Sequence, residues 1–166
     1  MGKIAIMNAI QPIESPTFSI IVPTLGNHEA IEGALQQLAS TLPQETEVLV
    51  VYNGVPSGAE QWERYVHSLH PALRFIRTTG SYGIARANNS GFNASHGQYI
   101  VFIHDDLLIL QKDWLNTFRR ILDEHPEVGM VGGSEAKFID RSPEEASWIE
   151  AGILYRPNGQ VVWAGS

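Results

Sequence analysis

The sequence predicts an α/β domain built on a mostly parallel central sheet flanked by helices, and three observations predict it. Short apolar runs recur along the chain, at 18–22 (FSIIV), 47–51 (EVLVV), 73–77 (LRFIR) and 99–103 (YIVFI). Between them lie stretches in which apolar residues return at helical spacing. Finally, 166 residues that are 43% hydrophobic and 17% charged suit one globular domain with a core of its own. Parallel strands are buried on both faces and need long crossovers, which is why apolar runs alternating with helices point to βαβ units.

Each element follows from local signals. Phe18 to Val22 is strand-like and is stopped by Pro23. After Gly26-Asn27, residues Ile31, Leu35, Leu38 and Leu42 share one helical face; Asn27 is the expected N-cap, Glu29 suits the positive end of the helix dipole, and Pro43 closes the segment. Glu47 to Val51 is the second strand, followed by a loop through Asn53-Gly54 and Pro56-Ser57-Gly58 and a helix over 59–69. Leu73 to Arg77 is the third strand, a glycine-rich turn spans Gly80 to Gly83, and a small-residue helix runs from about Ile84 to Ser95. Tyr99 to Ile103 is the fourth strand, expected to be buried on both faces, and 114–124 is a helix with Trp114, Phe118, Ile121 and Leu122 on one side. After Gly132-Gly133, Trp148 to Tyr155, Pro157-Asn158-Gly159 and Val161-Val-Trp163 read as a C-terminal β-hairpin with a polar tip.

Composition narrows the function. Eleven basic against eighteen acidic residues give a formal charge of −7, which argues against nucleic acid as a partner and against unaided binding to an anionic membrane. The absence of cysteine excludes disulfides and thiolate metal sites and suits a reducing cytoplasm. The opening MGKIAIMNAIQPIES carries no small-residue cleavage site, so no signal peptide is expected, and no apolar run is long enough to span a bilayer.

In open α/β sheets ligands bind beyond the carboxyl ends of the strands. Here those ends are Pro23-Thr24-Leu25, Tyr52-Asn53-Gly54, the turn from Thr78 to Gly83, and His104-Asp105-Asp106. If the fourth strand stays extended, His104 and Asp106 point one way and Asp105 the other. Carboxylates at the mouth of a cleft suit a hard divalent cation that takes one or two protein ligands and completes its shell with water and phosphate oxygens, and imidazole shifts the preference from Mg²⁺ toward Mn²⁺. The competing reading of Asp105-Asp106 is a pair of acids that cap the next helix or sit in water. His28, His67, His70, His96 and His125 show no metal-ligand spacing and are read as surface positions.

Taken together, these residues resemble family 2 glycosyltransferases, with the Rossmann-like, nucleotide-sugar-binding half of the GT-A fold. The resemblance rests on FSIIVPT at 18–24, EVLVVYNG at 47–54, GIARANNSG at 83–91 with Ser95-His-Gly97 and YIVF, HDD at 104–106 on the family's DxD motif, and PEVGMVGG at 126–133. It covers the chain from about Phe18 onward, so residues 1–17 are expected to be an N-terminal extension and 18–166 the nucleotide-sugar-binding domain, with the acceptor-side C-terminal portion short or absent.

The resemblance implies transfer of a sugar from a nucleoside diphosphate donor to a glycan, lipid-linked or other hydroxyl acceptor, assisted by Mn²⁺ or Mg²⁺ and with inversion. It implies that Pro23, Thr24, Leu25, Glu29 and Asn53 hold the nucleotide, that Asp105 contacts ribose or sugar, and that Asp106 with His104 holds the metal. Arg86 is read either as a diphosphate contact or as an exposed helical arginine. Gly91 reads better as close helix-to-sheet packing than as a ligand contact.

Two departures stand out. His104 replaces the first acid of DxD, and Tyr52 stands where relatives commonly place an acid for the base; its ring either stacks on a base or fills the sheet edge. No general base is assigned, since Glu135, Asp140, Glu144, Glu145 and Glu150 lie in no motif. Two further readings remain: a non-catalytic nucleotide-sugar or carbohydrate-binding module, and another α/β nucleotide binder such as a nucleotidyltransferase, disfavoured by the lack of a glycine- and lysine-rich phosphate loop. The expected location is cytoplasmic, including a peripheral position at the inner face of the membrane.

Overall fold

The computed structural model describes residues 15–26, 28–70, 73–78, 83–107, 109, 111–133, 136–137, 147–148, 152–155 and 161–164. Asn27, the expected N-cap, and Glu135, Asp140, Glu144, Glu145 and Glu150 lie outside them, as does the side chain of Glu29. The elements in order are β1 (Phe18–Thr24), α1 (His28–Thr41), β2 (Thr46–Tyr52), α2 (Ala59–Leu69), β3 (Leu73–Arg77), α3 (Ile84–Ala94), β4 (Tyr99–Phe102), α4 (Trp114–Glu124), β5 (Ala136–Lys137), β6 (Ser147–Trp148), β7 (Gly152–Tyr155) and β8 (Val161–Ala164). A 3₁₀ turn at Pro56–Gly58 leads into α2. The chain divides into two compact units, Met1–Leu115 and Asn116–Ser166.

In the first unit, β1 to β4 form one parallel sheet in the order β3-β2-β1-β4. β1 and β2 are buried along their whole length, as apolar strands with neighbours on both sides should be. Alternation sends Ile21, Leu49 and Val51 to one face, where they pack with Ala87 of α3, while Ile20, Val22, Val48 and Val50 fill the other. Ile31, Leu35 and Leu38 of α1 and Trp62 and Val66 of α2 are buried as well. Each such aliphatic side chain contributes roughly 1.5–3 kcal/mol of transfer free energy.

α3 lies close against the sheet because the residues it turns inward are small. A Cβ on Gly91 would come within 2.5 Å of Ile21 Cγ2 and 3.0 Å of Val51 Cγ2, so the packing reading of this glycine is the one the geometry supports.

β1 runs two residues further than its proline suggests, and the hydrogen-bond parity explains why. Ile103 N–H donates to the Ile21 carbonyl at 3.1 Å, so Ile21, and with it Pro23, directs its backbone polar groups toward β4; Thr24 directs its own toward β2, where its carbonyl accepts from Asn53 N–H at 2.8 Å. β4 pairs with β1 only as far as Ile21↔Phe102, so Pro23 stands where the β4 side of the ladder has ended and a missing N–H breaks no ladder bond.

The fourth strand corrects the sequence reading. It is not buried on both faces: Tyr99, Ile100 and Val101 are half-buried and Phe102 is 53% exposed. Among the described residues it has a strand neighbour only on its β1 side.

In the second unit, most of α4 is solvent-facing and carries the i,i+4 ion pairs Arg119–Asp123 (3.4 Å) and Arg120–Glu124 (3.3 Å). β5 pairs with β6 and β7 with β8, both antiparallel.

Candidate functional site

The strand order places a switch point between β1 and β4: from β1 the chain builds outward through β2 and β3 on one side, then returns to add β4 on the other. Crevices at such points, beyond the carboxyl ends of the strands, are where open α/β sheets bind ligands. Pro23-Thr24-Leu25 ends one wall of this crevice and His104-Asp105-Asp106 ends the other.

The first wall is braced from below. Thr24 is buried, and its Oγ1 accepts from Gly26 N–H at 3.0 Å, closing a tight turn in which Gly26 adopts a φ of 88°, a region that favours glycine. Leu25, between them, is 65% exposed. Asn53 is also buried. Its Nδ2 donates to the Gly83 carbonyl at 3.3 Å and its Oδ1 lies 3.1 Å from Thr78 Oγ1, which also reaches the Tyr52 carbonyl at 3.1 Å. The Asn53 amide therefore ties the ends of β2 and β3 to the start of α3, and so aims the first turn of that helix, where Arg86 is exposed at the surface.

Tyr52 resolves in favour of filling. It is 3% exposed, its hydroxyl donates to the Val55 carbonyl at 3.0 Å, and its ring packs against Trp62 (centroids 6.4 Å apart) and Phe75 (5.8 Å). No face of the ring is left for a base.

The second wall turns earlier than an extended strand would. Ile103 is the last residue hydrogen-bonded to β1; residues 105 and 106 lie in a turn that Leu107 N–H closes on the His104 carbonyl at 3.4 Å. Strict alternation of His104 and Asp106 on one face therefore does not apply. His104 and Asp106 are exposed and Asp105 is half-buried. Among the described residues no group of three or more histidines and acids is arranged to hold a metal ion by itself. The donors here, one imidazole and neighbouring carboxylates open to solvent, fit a cation that draws most of its shell from water and a ligand's phosphates rather than one caged by protein. On α4, a depression of about 330 Å³ is lined by Asn116, Arg119, Arg120, Asp123 and Glu124; its charges pair with one another at i,i+4 and it holds no such donor set.

At the opposite, amino end of the sheet lies a polar cluster that sequence reasoning missed. Glu47, 5% exposed, accepts from Ser19 Oγ at 2.7 Å and from His96 N–H at 2.7 Å, and pairs with the Arg74 guanidinium. Ser19 Oγ also accepts from Gly97 N–H at 2.7 Å, and Arg74 Nη1 donates to the Ala94 carbonyl at 3.1 Å. Burial pushes the Glu47 carboxyl up, but hydrogen bonds from Ser19, the His96 amide and Arg74, together with the Arg74 charge, outweigh it and hold the group below its ordinary value. Asn53 and this cluster thus pin the two ends of α3. The signal in the sequence was partial: Ser19, Glu47 and Arg74 are polar residues near the starts of three successive apolar runs, and Glu47 comes second in its strand only because β2 begins at Thr46.

The model of the family described as Glycosyl transferase family 2 matches residues 19–164. The chain belongs to glycosyl transferase family 2. Among sequence relatives of this family 2 chain is the uncharacterized protein y4gI of Sinorhizobium fredii, 26% identical over 160 residues; the match takes in 95% of this chain and 15% of the relative. Among solved structures, TarS 1-349 of S. aureus is 26% identical with a TM-score of 0.56, covering 66% of this chain and 33% of that one; the same region has been solved with UDP-GlcNAc. The mannosyltransferase PcManGT of Pyrobaculum calidifontis, solved with GDP-Man and Mn²⁺, shares the fold at 24% identity and a TM-score of 0.54, covering 67% of this chain and 34% of its own. The family 2 chain thus spans about a third of the length of these structures and has the GT-A fold that they share.

Proposed function

We propose that the chain is the donor-binding domain of a glycosyltransferase that moves a sugar from a nucleoside diphosphate to an acceptor hydroxyl with inversion, aided by Mn²⁺ or Mg²⁺. The observation that carries the reading is the strand order: β1 and β4 are parallel neighbours at the point where the order reverses, so the buried, hydrogen-bonded Thr24 turn and the acidic turn at 104–106 follow their carboxyl ends at the same end of the sheet. UDP-GlcNAc in the related TarS structure supports a donor of this class.

In this reading Pro23, Thr24 and Leu25 form the shelf for base and ribose, with the exposed Leu25 side chain supplying apolar contact. Glu29, early in α1, is assigned to the nucleotide. Asn53 acts through what it holds, fixing the α3 start so that Arg86 reaches the diphosphate. Asp105 contacts ribose or sugar. Asp106, with His104, would hold the cation, which supplies charge neutralisation to the departing diphosphate. The net charge of −7 explains why such help is needed, since an acidic protein does not attract a diphosphate by its bulk field.

Residues 1–17 are assigned to an extension outside this domain. A cytoplasmic location with a peripheral position at the membrane fits lipid-linked acceptors, and no helix among the described residues is long and apolar enough to cross a membrane.

His104 in place of an acid favours one second reading, a module that binds nucleotide sugars without turning them over. Calorimetry with a panel of nucleoside diphosphate sugars, with and without Mn²⁺, tests the proposal. At least one donor is expected to bind in a Mn²⁺-dependent manner and to weaken tenfold or more in Asp106→Ala, in line with the loss of a charged ligand. No binding by any donor, or an Asp106→Ala variant that binds as the wild type does, refutes it. A glycosylated product with an added acceptor excludes the binding-only module.

A further inference from the structure

The turn carrying His104, Asp105 and Asp106 has to be held in place, and the sheet holds only one side of it. The last ladder bond is Ile103 N–H to the Ile21 carbonyl, and the next buried residue among those described is Trp114, at the start of α4. Between them the chain receives a second fixing from α1. Gln37 Nε2 donates to the Ile109 carbonyl at 2.7 Å, and Ile109 N–H donates to Gln37 Oε1 at 2.7 Å. One side-chain amide therefore satisfies both backbone groups of a single residue 72 positions away, as a neighbouring strand would. Gln37 is half-buried and Ile109 partly so, which limits competition from water.

We propose that Gln37 is a positioning residue for the metal and diphosphate site: by clamping Ile109, it fixes the return path of the 104–107 turn and so the place at which Asp106 and His104 meet a Mn²⁺-nucleoside diphosphate. This rests on the functional reading above and assigns it a residue outside the crevice. Gln37 touches neither ligand nor metal; it adds a fixed point at Ile109 between the last ladder bond and α4. The clamp needs an amide. A carboxylate keeps the acceptor for Ile109 N–H but sets an oxygen against the Ile109 carbonyl, and an aliphatic side chain keeps neither bond.

The test uses the full chain, with Gln37→Leu to remove both bonds at similar volume and Gln37→Glu to keep one. Amide exchange is followed by NMR at Ile109, Leu107 and the β1 and β2 cores, and binding of UDP and of GDP is measured by calorimetry with and without Mn²⁺. In Gln37→Leu, exchange at Ile109 should accelerate roughly tenfold or more, because local opening no longer breaks two hydrogen bonds, while β1 and β2 amides keep their protection. Mn²⁺-dependent nucleotide affinity should fall by about the same factor, since binding must first close the turn, and metal-independent binding should stay where it is. Gln37→Glu should fall between Gln37→Leu and wild type on both readouts, and it carries the comparison if Gln37→Leu does not fold. Unchanged exchange at Ile109 overturns the clamp. Faster exchange with unchanged Mn²⁺-dependent affinity overturns its link to the site. A wild-type protein that binds neither nucleotide with Mn²⁺ overturns the functional reading, and this inference with it.

Discussion

Replacing Glu47 removes the acceptor on which the amino end of the sheet converges. In Glu47→Ala, the Ser19 O–H and His96 N–H lose the acceptor they donate to, and Arg74 loses its carboxylate. Severing a fully buried ion pair costs ~3–5 kcal/mol. The Arg74 side chain is 36% exposed and recovers part of its hydration, so its share is discounted toward the ~1 kcal/mol or less of surface pairs. The buried Ser19 hydroxyl left without an acceptor adds about 1 kcal/mol or more and the part-buried His96 N–H less, so the expected loss is about 3 kcal/mol. For a domain of this size that lowers the melting temperature by roughly 6–12 °C.

Glu47→Gln keeps the volume and an acceptor and should cost less, about 1–2 kcal/mol. The pH dependence separates charge from packing. The folded-state value of Glu47 lies below the ordinary 4.5, so its stabilisation is complete above 4.5 and disappears as pH falls through the lowered folded value. Urea titrations of the wild type and Glu47→Gln from about pH 7 to about pH 3.5 should therefore converge toward the acid end. Two results refute the reasoning: Glu47→Ala within about 0.5 kcal/mol of wild type at neutral pH, the range of ordinary surface substitutions, or parallel acid limbs in wild type and Glu47→Gln.

Three other expectations concern particular contacts. Gly91→Ala gains up to ~1 kcal/mol of helix propensity but forces its Cβ onto Ile21 and Val51, an overpacking cost of about 1–3 kcal/mol, so net destabilisation is expected in thermal melts. Gly97→Ala should be worse, because its Cβ would lie 2.5 Å from Ser19 N and 2.7 Å from the Phe18 carbonyl carbon, which are backbone atoms that cannot swing aside. Tyr52→Phe should cost about 1 kcal/mol for the lost bond to the Val55 carbonyl and leave nucleotide affinity intact; a large affinity loss at unchanged stability would mean that the ring does meet the base after all.

Much of this was legible in the residues. The apolar runs of β1 and β2 and the face of α1 came from periodicity alone, because burial on both faces or one leaves a direct mark on hydropathy. β4 misled for the same reason: YIVFI is as apolar as a central strand, yet its position in the order of the sheet is set by long-range pairing that periodicity does not record. Tyr52 stayed open until its neighbours were known, since whether a ring fills or stacks depends on Trp62 and Phe75, which approach from two other elements. Glu47, Ser19 and Arg74 were visible as polar residues near the starts of three apolar runs, but not as partners, since that depends on how the strands align. Gln37 was not: in a helix with Gln36 beside it, nothing local distinguishes a glutamine that clamps Ile109 from one that faces water.

The central claim is that a divalent cation and a nucleoside diphosphate meet at the switch point between β1 and β4. Paramagnetic broadening by Mn²⁺ in the presence of UDP or GDP locates the cation on the folded chain directly. The account expects amide signals of His104 to Leu107, then Thr24 to Gly26 and Gly83, to broaden first, with Ser19, Glu47 and Arg74 at the far end of the sheet unaffected, and expects Asp106→Ala to abolish the effect. Broadening that instead centres on the exposed acids of α4, Asp123 and Glu124, and persists in Asp106→Ala would contradict it.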